Sequence, residues 1–133
     1  MTPTDKQHQE RFCHGLRVLN TIDGQAGQNV IDGLADIAPE LGHQIVAWGF
    51  GDIYSRPELE PRQRQLITLG VLTALGGCEA QLEVHIGASL NVGLTKEEII
   101  ETFLHASVYC GFPRALNAVA VVRKVFTDRG LLA

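Results

Sequence analysis

His85 sits inside an apolar helical pattern, with Leu82 and Ala88 three residues away, Gln81 and Ser89 four, and Cys78 seven. On a helix these residues share one face. An imidazole changes charge near neutral pH, so such a face can line a pocket in which a proton is given or taken. The same ring could instead only pin two helices by a hydrogen bond. Cys78 falls near the start of that helix, where the backbone dipole favours a thiolate, although a lone Cys there can equally be packing. His105, four residues after Glu101 and four before Tyr109, could complete a polar wall or join two helices. Among the five histidines, His8, His14, His43, His85 and His105, no pair has the spacing of a zinc site, and no metal is expected.

Helices must position these groups, because helical periodicity recurs along the chain and strand alternation does not. Phe12, Leu16 and Leu19 share a side of a first helix over Asp5 to Leu19, which the turn residues from Asn20 to Gly27 end. A second covers Asn29 to Ala38, and Pro39 opens a third through Leu41, Ile45, Val46 and Trp48. Trp48 and Phe50 read as core or interface. Pro61 opens the next helix, Arg62 to Leu75, apolar enough to be central, and Gly76-Gly77 breaks it. The His85 helix spans Cys78 to Asn91 and ends at Gly93. Thr95 with Glu98 forms a capping box for a helix to about Tyr109, which marks Glu97, Glu98 and Glu101 as its solvated start. The last helix begins at Gly111-Phe112-Pro113 and reaches Asp128.

The expected fold is all-α, a compact bundle of about six or seven helices in a single domain, residues 1–133. Ala115, Val119, Val121, Val122, Val125 and Phe126 cover a broad arc of the last helix, more than a monomer would bury, so a subunit interface is expected. The net charge of -4 argues against a nucleic-acid binder. No apolar run is long enough to cross a bilayer, and the polar start MTPTDKQHQERF does not read as a signal peptide. Three widely spaced cysteines, Cys13, Cys78 and Cys110, suit free thiols in a reducing cytoplasm.

The blocks FGDIYSRPEL at 50–59, PRQRQLITLGVLTAL at 61–75, QLEVHIGASLNVGLTKEEIIE at 81–101 and HASVYCGFPRALNA at 105–118 together resemble the carboxymuconolactone decarboxylase family. The resemblance implies small helical subunits in rings, commonly hexamers, that remove CO2 from an anionic lactone in aromatic-compound breakdown. It also implies a reaction without cofactor or metal, because a conjugated lactone carbonyl takes up the electrons that CO2 leaves behind. In this reading His85 is the proton donor. Arg56 and Arg64 clamp a carboxylate, and Cys78, Gln81 and His105 complete the substrate site. Arg56 could instead satisfy carbonyls at a helix end, and Arg62 and Arg64 could make intersubunit salt bridges.

A redox branch of the same superfamily carries Cys-x-x-Cys followed by His on one helix. Here the matching positions are Cys78, Gln81 and His85, so the second sulfur is missing from that helix. The rival reading is a thiol-dependent antioxidant reductase or peroxidase that uses Cys78 with His85.

Overall fold

The structure, a computed structural model, describes residues 3–132, which are helical with no strand among them. They form two compact units, one ending at Glu60 and the other beginning at Pro61.

In the first unit, α1 (Pro3–Ile22) continues past the expected stop at Asn20 because Leu19 and Ile22 are both buried. Gly24, at φ 62°, then turns the chain. As a result α2 (Gln25–Asp32) starts four residues earlier than expected, and turns rather than helix cover residues 33–37. Side-chain amides reinforce it at helical spacing, Gln25 donating to Asn29 and Gln28 to Asp32. Pro39 occupies the first turn of α3 (Pro39–Gln44), as expected.

The chain then widens into a π-helix over Ile45–Tyr54. Here the 3.6-residue period no longer assigns faces. Phe50 is buried, but Trp48 is 59% exposed and does not belong to the core of this chain. Gly15 permits α1 to meet this segment closely, since a Cβ there would lie 1.9 Å from the Val46 carbonyl oxygen. Nearby the His43 ring stacks on those of His8 and Phe12, with centroids 3.8 and 5.3 Å away.

In the second unit, α4 (Pro61–Leu75), α5 (Glu79–Asn91), α6 (Lys96–Cys110) and α7 (Phe112–Asp128) close on Leu69, Leu82, Ile86, Ile99, Phe103 and Phe126. The expected capping box is present: Thr95 Oγ1 accepts from the Glu98 amide, and the Glu98 carboxylate accepts from the Thr95 amide. Gly76 and Gly77, at φ 70° and 71°, join α4 to α5. The joint is braced, because the Arg114 guanidinium donates to the Leu75 carbonyl and leaves no room for a Cβ on Gly76.

The apolar helix α4 is oriented differently from the expectation of a fully central element. It buries Gln65, Leu69 and Thr73, while Ile67, Val71 and Leu75 are more than half exposed. Among the described residues no helix is long and apolar enough to cross a membrane.

Candidate functional site

The site begins with two neighbouring helices. On α5, Leu82, Ile86, Ala88 and Ser89 are buried, and His85 lies between them partly buried. Ser89 Oγ donates to the His85 carbonyl at 2.7 Å, which keeps this hydroxyl satisfied inside the helix. On α4, Gln65 is completely buried, and its Oε1 lies 3.1 Å from His85 Nδ1. With the ring proton on Nδ1 this contact is a hydrogen bond donated to the amide oxygen, and the lone pair of the neutral ring is then on Nε2.

Burial disfavours the charged imidazolium and pushes the ring's pKa from 6.5 down to about 4. The ring is therefore neutral at physiological pH. The Nε2 amide of Gln65 is buried with no partner among the described residues.

Gln65 is absent from the residues singled out in the sequence. The available signal was its place in the row Gln65, Leu69, Thr73, where polar groups alternate by one helical turn along a face that the chain buries.

The other expected site residues are more dispersed. Arg64, next to Gln65, is partly buried, and its carbonyl accepts from Thr68 Oγ1. Arg56 belongs to the first unit, is exposed and pairs with Glu58 at 3.7 Å. Arg62, considered for an intersubunit bridge, is engaged within the chain: one of its guanidinium nitrogens lies 2.9 and 3.0 Å from the two Glu98 oxygens. Gln81 is exposed, one turn before His85.

Cys78 occupies the N-cap position of α5, and its thiol donates to the Gly76 carbonyl at 3.5 Å. All three cysteines are free. His105 is exposed, its ring 5.7 Å from that of Tyr109. Both line a groove of about 890 Å³ between α4 and α6, whose charged members are Glu97, Glu98 and Glu101. That acidic rim is ill suited to an anion, and His85 is not among the groove's lining residues.

Residues 39–124 fit the carboxymuconolactone decarboxylase family, and the chain belongs to that family. It is 35% identical to the 4-carboxymuconolactone decarboxylase of Acinetobacter baylyi over 124 residues, covering 92% of each chain. It is 34% identical to a nitrosuccinic acid decarboxylase of Metarhizium robertsii, over 93% of this chain and 87% of that one. An uncharacterized 15.0 kDa protein of Paracoccus denitrificans is 29% identical over 69% of each.

Proposed function

We propose that the chain is a carboxy-lyase that needs no cofactor and removes CO2 from a small dicarboxylic acid carrying its own electron sink. The observation that supports this most is His85, kept neutral and partly buried against Gln65, in a chain similar to two decarboxylases over nearly its whole length. The substrates in those two names share one chemical logic. Each has a carboxylate on a carbon attached to a group that can accept an electron pair, a ring double bond conjugated to the lactone carbonyl in one and a nitro group in the other.

Breaking the C–C bond sends its electrons into that group, and the product forms when the carbon regains a proton. A second carboxylate is the handle, for which Arg64 and Arg56 are the candidate cations. Binding such a dianion beside His85 raises the ring's affinity for a proton. Nε2 then takes a proton from solvent and passes it to the carbanion.

Release of CO2 from 4-carboxymuconolactone and from nitrosuccinate tests this directly. Turnover of at least one is expected, and it should persist in Cys78→Ser. Loss of all turnover in Cys78→Ser, together with peroxide reduction by the unaltered protein, would instead support the thiol-dependent reductase. The lack of a second sulfur at position 81, where Gln81 stands, favours the first outcome.

The enzyme acts in the cytoplasm as a homo-oligomer, a hexamer or a trimer, with sites near subunit interfaces. Support comes from the α6–α7 hairpin, where Leu104, Phe112 and Leu116 are 62 to 75% exposed and line one groove. Isolated apolar residues are ordinary on a surface, but a contiguous set is not. Sedimentation should give several times the 14.5 kDa of one chain, and Leu116→Glu should shift it toward the monomer. A monomeric wild type would refute the assembly.

A further inference from the structure

We propose that Gln65 is a positioning residue whose buried amide oxygen takes the Nδ1 proton of His85 and so makes Nε2 the working nitrogen of the ring. This deepens the decarboxylase reading and rests on it only where turnover is measured. The two groups come from different helices, 20 positions apart, and lie 3.1 Å from each other. Gln65 has no solvent exposure, so no competing water relieves it of this bond. With the ring proton on Nε2 instead, the Nδ1 lone pair would face the carbonyl oxygen, and two acceptors would oppose each other.

Packing does not explain an amide at this position. A leucine would fill similar space, and the glutamine leaves its own Nε2 without a partner among the described residues. An unsatisfied buried donor is retained where the other end of the group has a task. The choice of an amide over a carboxylate also matters for an anionic substrate. Glutamate would orient the ring equally well, but it would hold a proton on both ring nitrogens and add a negative charge next to the departing carboxylate. Glutamine orients without charging. The imidazole stays free to collect its proton only when the substrate's charge is present.

The experiment is 15N NMR of the His85 ring in the full-length protein, which reports the tautomer and the titration without any substrate. The wild type should show the proton on Nδ1 at pH 7. Gln65→Glu should raise the ring's titration midpoint by more than one pH unit, and Gln65→Leu should give a mixture of tautomers. In turnover, Gln65→Leu should lower kcat on the order of tenfold or more, with KM little changed, as expected on loss of an orienting partner.

A wild-type ring protonated on Nε2 would overturn the proposal, since the amide would then be turned to donate. So would an unchanged titration midpoint in Gln65→Glu, the variant closest in shape and a sufficient test if Gln65→Leu does not fold. Because the spectrum needs no turnover, it can fail while decarboxylation stands, and the reverse.

Discussion

Replacing His85 by alanine is expected to lower kcat by about 100- to 10,000-fold with a much smaller change in KM, the usual scale for loss of a positioned proton donor. If cations hold the substrate's handle, as proposed, binding should survive while delivery of the proton to carbon does not. The pH dependence separates this role from a structural one. In the free protein burial holds the ring near 4, whereas a bound dianion pushes its pKa up. The falling limb of kcat/KM reports the free protein and that of kcat reports the complex, so the kcat limb should lie at higher pH. His85→Gln keeps volume and polarity but cannot relay a proton at these values, so it should be nearly as impaired as His85→Ala while melting close to the wild type. Retention of full kcat in His85→Gln would remove the ring from the mechanism.

Asp23→Asn is expected to stabilise the protein at pH 8 by up to about 4 kcal/mol and to do almost nothing at pH 4, since each tenfold change in proton affinity between the folded and unfolded states is worth about 1.4 kcal/mol. Asp23 follows the last turn of α1 and is buried, and Gly27 packs so closely that a Cβ there would come within 2.5 Å of the Asp23 Cβ. Its Oδ1 has no partner among the described residues. Burial raises the carboxyl from 3.8 to about 7. A group whose folded pKa exceeds its unfolded one makes the native state the better proton binder between those values, so stability falls as pH climbs from about 4 to about 7. The full cost appears above pH 7, where a buried carboxylate must be ionised. Asparagine has the same shape and no charge. Urea melts at pH 4 and pH 8 check this, and an equal effect at both would mean that the carboxyl is not held protonated.

Much of the second unit was legible from local chemistry. Pro61, the glycine pair at 76 and 77, the Thr95 capping box and Gly111 before Pro113 mark α4 to α7 nearly to the residue, because each device acts within four positions of the helix end it makes. His85 was legible too, since Leu82, Ala88 and Ser89 lie on its face and are buried. Gln81, assigned to the same face, is exposed, because the stripe is wider than the surface that α4 covers. Gln65 was not legible as a partner: nothing near it in the chain specifies which residue on another helix its amide will meet. The π-helix from Ile45 to Tyr54 defeated a reading based on 3.6 residues per turn, so core and interface stayed open for Trp48 until its exposure excluded the core. Burial of Asp23 was hidden for a related reason, as an acidic residue beside Gly24 reads locally as a turn.

The pairing of His85 with a buried residue of α4 also limits how these helices can drift over generations. Each residue added to or removed from a helix turns everything beyond it by about 100° and shifts it by about 1.5 Å. One residue inserted within α5 between Leu82 and Ile86 would therefore force either the core or the imidazole to give way. The turn at Gly76 and Gly77 lies outside both helices and can change length without that penalty. Length changes among relatives are thus expected at that turn, whereas point changes on α4 adjust the chemistry that His85 meets.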